Sequence, residues 1–268
     1  MSNSDGFWNF VGILLQQYGM LFLQGAGVTL LLALVGTVIG CLIGLLVGVL
    51  RTIPVRPNAN LGVRILNRIL QFILAAYIEI FRGTPMMVQA VVIFYGSMSL
   101  FGIDMSPMFA GFLVVSVNTG AYMAETVRGG IQSIEPGQTE AAKALGMTHW
   151  QTMESVIMPQ TIRNILPQIG NNLIINIKDT SVLNVISVTE LFFEANSAAG
   201  TYYRFFEAFF IISIIYFIMT FTCSRLLRWM EHRIDGSGYY TLVETDMMAD
   251  PTGVNPVRPK GGMHPWGK

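Results

Sequence analysis

The chain has 268 residues, of which 52% are hydrophobic and 12% charged, against roughly a quarter charged in an ordinary soluble domain. Its 16 basic and 16 acidic residues cancel, which leaves no electrostatic support for a nucleic-acid partner. A mean hydropathy of +0.53 requires something apolar to cover much of the surface.

The first six residues carry Asp5 and no Lys or Arg, unlike the basic start of a secretory signal, and no small-residue cleavage site follows. Residues 7–23 (FWNFVGILLQQYGMLFL) are apolar and aromatic but interrupted by Gln16 and Gln17. The pattern suits an interfacial segment over 1–24, with a sixth span as the alternative. Residues 28–50 carry no charge, and a helix of that length, at ~1.5 Å per residue, crosses a ~30 Å hydrocarbon layer. This is the first predicted span. Arg51, Arg56, Arg64 and Arg68 then lie in polar, Pro-containing sequence. A second span fits 84–101, with an extension back through Arg82 left open, and a third fits 107–127. Residues 128–163 are helical in pattern but too polar for lipid. A weaker, Asn-rich fourth span covers 164–183 and a strongly apolar fifth covers 205–226. Residues 236–268 are rich in Gly and Pro and lack periodicity, as expected of a disordered tail. The predicted fold is therefore an all-α integral membrane protein of five transmembrane helices, with a membrane domain over 25–235.

Lys and Arg collect in loops that stay in the cytoplasm, so charge predicts orientation. Residues 1–27 and 102–107 carry none, whereas 51–82 carries five Arg and 225–233 carries Arg225, Arg228 and Arg233. Five spans with the N-terminus outside and the C-terminus cytoplasmic satisfy this distribution except at Arg204. The polar 128–163 segment then faces the cytoplasm.

Within that segment stand Glu140-Ala141-Ala142, three residues, Gly146, nine residues, Val156, one residue, and Met158-Pro159. The alanines and Leu145 are strong helix formers, Gly146 suits a C-terminal cap, and Thr148 can cap a following helix. Two short helices joined at a glycine make a small-residue knob that can seat in a partner's groove. The spacing resembles the EAA loop of ABC-importer permeases, with Val and Met at positions where that pattern has Ile and Leu. YIEIFRGTPMMVQ (77–89), NTGAYMAETVRGGIQSIEPGQTEAAKALG (118–146), NNLIINIKDTSV (171–182) and the spacing of Glu194, Glu207 and Tyr216 are similar to the polar amino-acid subfamily of these permeases.

The resemblance implies the type I importer permease fold, in the bacterial cytoplasmic (inner) membrane, with a cytoplasmic coupling-helix loop. It implies Glu140, Ala141, Ala142, Gly146 and Pro159 as ATPase-coupling residues. It also implies a non-catalytic subunit that pairs with a second permease chain, two ATPase subunits that use ATP and Mg, and an extracytoplasmic amino-acid-binding protein. No cofactor is expected on this chain. Its one fit to a GxxxxGK frame, Gly262 to Lys268, has no Ser/Thr, strand or helix behind it.

Polar residues inside spans are costly and face an aqueous path or a packed neighbour. Gln168, Asn172, Asn176 and Asp179 fall on one helical face, and Asn118, Tyr122 and Glu125 share another. Both stripes are candidate path linings, with interhelical hydrogen bonding as the equal alternative. Arg82-Gly83-Thr84-Pro85 reads as a helix break, with Thr84 capping the next helix and Arg82 reaching the headgroups. Cys41, Cys223, His149, His232 and His264 lack metal-ligand spacing. The rival function is an ATP-independent secondary transporter or channel, against which stand the EAA spacing and the lack of an inverted repeat.

Overall fold

The computed structural model describes residues 6–53 and 60–235, and all regular structure among them is helical. Helix α1 (Phe7–Thr52) has 46 residues, no proline and no charge before Arg51. Helix α2 (Leu61–Gly83) and α3 (Met86–Phe101) are separated by Thr84 and Pro85. Pro85 has no N–H to donate and disfavours helical backbone at Thr84, which is extended at ψ 145°. Helix α4 (Pro107–Gln132) starts at Ser106, whose hydroxyl accepts from the Phe109 N–H, with Pro107 at the first turn. Then come α5 (Pro136–Ala144), α6 (His149–Thr152), a π turn (Met153–Ile157), α7 (Met158–Asp179), a 3-10 stretch (Thr180–Ile186), α8 (Leu191–Tyr202) and α9 (Phe205–Asp235).

The framework is the pairing of α1 with α4. Gly36, Gly40, Gly44 and Gly48 lie on one face of α1 at intervals of four. A Cβ placed on them would come within 2.4 Å of Val115, 2.6 Å of Thr119, 2.3 Å of Met123 and 2.7 Å of Val127. Each step of four on α1 matches a step of four on α4, so the two helices run parallel and their backbones approach as small-residue interfaces allow. Parallel neighbours need a return between them, and α2 with α3 supplies it. Leu74, Tyr77 and Ile78 of α2 pack with Ala124, whereas Ala90 of α3 packs with Ala110 and Val114, so the broken pair runs antiparallel to α4. Helix α7 is antiparallel to α4 as well: Ile165 meets Gly130, Asn172 meets Met123 and Asn176 meets Thr119. Helix α9 closes the bundle beside α1, with Phe210 on Phe7 and the Tyr216 hydroxyl reaching Glu190, which Thr29 of α1 also contacts.

Several element boundaries differ from those read in the sequence. Residues 7–23 are not a separate segment but the first part of α1, because Gln16 and Gln17 interrupt hydrophobicity without breaking the backbone. The Arg-rich stretch before residue 84 contains a 23-residue helix whose apolar length suffices to cross a membrane, since its arginines gather on one face. Among the described residues four helices are that long and apolar (α1, α2, α4 and α9), and α3 is a shorter apolar helix. The Asn-rich span expected at 164–183 begins in helix at Met158 and tightens to 3-10 after Asp179. The expected tail, 236–268, lies outside the described residues.

Candidate functional site

The polar segment between α4 and α7 folds into two short helices around Gly146. Helix α5 ends in a Schellman turn: the Met147 N–H donates to the Ala142 carbonyl at 3.1 Å and the Gly146 N–H to the Lys143 carbonyl at 2.9 Å. Closing that turn places Gly146 at φ +78°, the left-handed region that side chains resist. Thr148 then caps α6 in a reciprocal box with Gln151. Helix α5 packs on the segment's own π turn and Ala142 is buried, while Glu140, Ala141 and Pro159 are exposed. The capping glycine and Thr148 are where the sequence places them.

Two residues of this knob carry no contact role in the sequence, where Leu145 is read only as a helix former; it lies at the C-cap, just past α5. Leu145 is 83% exposed and Trp150 65% exposed, on either side of Gly146. Large apolar side chains beside a turn in an otherwise polar segment leave apolar area uncovered within the chain, a mark of a contact site. Their signal is available in the sequence, since each is a large apolar residue in a stretch otherwise too polar for lipid.

The α4 stripe is brought together with the α2–α3 break. Gln89, buried on α3, donates to the Phe81 carbonyl at 2.9 Å and to the Thr84 carbonyl at 2.8 Å, and its side-chain oxygen accepts from Asn118 at 2.9 Å. Asn118 also donates to the Phe81 carbonyl. These side chains hold carbonyls released where the helix stops, which in a membrane have no water to turn to. Thr84 does not cap α3: its hydroxyl donates back to the Ile80 carbonyl and accepts from Gln89. Arg82 is exposed within the chain and its guanidinium lies 5.6 Å from the centroid of the Tyr122 ring. One turn on, Glu125 is paired at 2.6 Å with both Arg51 of α1 and Arg128 of its own helix. These side chains are only 20–35% exposed, and through Arg51 the partly buried pair ties the end of α1 to α4.

The α7 stripe divides. Asn176 is buried and donates to the hydroxyls of Thr37 at 2.8 Å and Thr119 at 2.9 Å, joining α7 to α1 and α4. Asn172, also buried, lies against the Met123 sulfur and donates to the Gln168 carbonyl. Gln168 and Asp179 are exposed within the chain. Replacing Asn176 by Leu is expected to lower the thermal midpoint in detergent, with a cost near the ~0.6–1.7 kcal/mol of interhelical bonds in membranes. An unchanged midpoint would mean that Asn176 does not tie the three helices.

A further polar centre has no counterpart in the sequence reading. Glu190 is fully buried, caps α8 by accepting from the N–H groups of Phe192 and Phe193, and also accepts from Tyr216 and Thr29. Its signal is faint, since a lone Glu before an apolar run is a weak cap. No group of three or more His, Cys, Asp or Glu residues suited to a metal ion occurs among the described residues.

The family described as "Binding-protein-dependent transport system inner membrane component" matches residues 59–236. The glutamine transport system permease protein GlnP of Escherichia coli (strain K12) is 38% identical over 159 residues, 59% of this chain and 73% of that protein. The nopaline transport system permease protein NocM of Agrobacterium fabrum is 36% identical over 174 residues, 62% of this chain and 72% of NocM. In fold the chain is similar to a solved amino acid ABC transporter with histidines, at TM-score 0.72 and 38% identity over 82% of this chain and 97% of that one. The MetNI methionine ABC transporter in an inward-facing conformation shares the fold at TM-score 0.61 and 22% identity, over 79% of this chain and 96% of that one. The chain belongs to the family of binding-protein-dependent transport system inner membrane components, the non-catalytic membrane permease subunits of ABC importers.

Proposed function

We propose that this permease carries a polar amino acid inward, paired with a second permease chain, driven by two ATPase subunits that consume ATP and Mg, and fed by an extracytoplasmic binding protein. The observation that carries the reading is the Leu145-Gly146-Trp150 knob, an exposed apolar contact built on the EAA spacing. In this reading Glu140, Ala141, Ala142, Gly146 and Pro159 belong to the coupling segment. Amino acids are the cargo of the similar GlnP system, and the polar surfaces around Asn118, Tyr122 and Glu125 suit a zwitterionic solute. We assign the inward path to those three residues with Gln168 and Asp179, and assign Asn172 and Asn176 to the seam that backs it.

The proposed orientation has the N-terminus outside and the C-terminus in the cytoplasm of a bacterial inner membrane. Parallel α1 and α4 support it, since both then descend toward the arginine-rich side. The test is single cysteines in a background lacking Cys41 and Cys223. An impermeant maleimide added outside whole cells should label position 104 and not 135, and bifunctional maleimides should cross-link position 145 or 150 to the ATPase. Labelling at 135 but not 104 would overturn both orientation and coupling.

A path role for Asp179 has its own consequence: Asp179→Ala should cut uptake at least severalfold while membrane insertion and thermal midpoint stay near wild type. Wild-type uptake would remove Asp179 from the path.

A further inference from the structure

Helix α9 has 31 residues, or ~46 Å of helix, which exceeds a ~30 Å hydrocarbon layer by about three turns. Between Glu207 in its first turn and Arg225 it carries no charge, and its basic residues begin at Arg225, in that excess. Ile214, Phe217, Ile218 and Phe221 are exposed on one face, an apolar strip that needs covering. Arg225, Arg228 and Trp229 continue the same strip at i+11, i+14 and i+15 from Ile214, within ~120° at 100° per residue. The Arg225 guanidinium lies 5.0 Å over the Phe221 ring and that of Arg233, at the strip's edge, 5.1 Å over Trp229. Among the described side chains none of these three arginines pairs with a carboxylate, and Glu231 lies off the strip.

We propose that this strip holds an anionic phospholipid, its acyl chains along Phe217, Ile218 and Phe221 and its headgroup on Arg225 and Arg228. Two features favour lipid over a protein partner. The basic patch begins where the apolar strip ends, on the same face, as one amphiphile requires. Arg over aromatic rings with Trp alongside is also the composition of a membrane boundary. Basic residues at such a surface attract anionic lipid individually and lose that attraction to salt.

Native mass spectrometry of the purified full chain in detergent, with phosphatidylglycerol and phosphatidylcholine added in equal amounts, reads this directly. The wild type should retain phosphatidylglycerol preferentially, and R225A/R228A/R233A should lower that preference by about tenfold. R225K/R228K/R233K, which keeps the charge, should restore most of it. Should the alanine variant not fold, the wild type alone decides, because its preference must fall as NaCl is raised. A triple-alanine variant that keeps the wild-type preference, a preference indifferent to salt, or a variant that loses only its ATPase or a second permease chain would overturn the proposal.

Discussion

Replacing Gly146 by Asp is expected to abolish uptake while leaving insertion into the membrane normal. A Cβ at Gly146 would meet nothing within 4 Å, so the chain itself has room for a side chain. The backbone does not welcome one, because φ is +78° and the Schellman turn depends on it. The intrinsic cost for an L-residue there is ~1–2 kcal/mol, and Asp is among the residues that bear it best. Strain alone therefore predicts partial function, and the comparison with Gly146→Ala separates it. Alanine carries the strain without charge and should retain measurable uptake. Aspartate adds a carboxylate between Leu145 and Trp150, where the proposed partner surface must close, and should lose stimulation of ATP hydrolysis by loaded binding protein. Ala and Asp variants of equal, near-wild-type activity would reduce the knob to a surface hairpin.

The second large effect is structural. A Cβ on Gly44 would lie 2.8 Å from the Met123 carbonyl carbon and 2.9 Å from the Ala124 nitrogen. Those atoms are backbone of α4, so the helices must separate rather than a side chain rotate. Overpacking against side chains costs ~1–3 kcal/mol, and Gly44→Val should exceed that, a large part of the ~5–15 kcal/mol that holds a typical domain. The expected result is loss of monodisperse protein after detergent extraction. Gly27→Val is the control, since a Cβ there meets nothing within 4 Å. If Gly44→Val extracted and melted like wild type, the α1–α4 register would be wrong.

What the sequence makes legible follows from locality. Apolar runs mark α1, α4 and α9 because burial in lipid needs only length and composition. Gly146 and Thr148 are readable because caps are settled within four residues. Pro85 announces the break, but nothing local says that Gln89 and Asn118 will hold its freed carbonyls, since those partners meet only once α3 lies on α4. The α7 stripe shows the same limit. Its four residues share a face in one dimension, yet Asn176 becomes a tie because Thr37 and Thr119 arrive from two other helices, and Asp179 does not. Helix α2 is obscured for a different reason. Its arginines raise the average polarity of a stretch whose remaining faces are apolar, and a run-length reading sees the average. Glu190 escapes because three of its partners come from α1, α8 and α9 together.

The central claim is that transport through this chain is driven by a separate ATPase. The most direct measurement is uptake of labelled amino acids into proteoliposomes holding the permease with its co-expressed ATPase, with binding protein outside and ATP-Mg enclosed. The account predicts accumulation that requires enclosed ATP, requires the binding protein and vanishes with Gly146→Asp. Accumulation that proceeds without ATPase or ATP and collapses when an ion gradient is dissipated would contradict it and favour a secondary transporter.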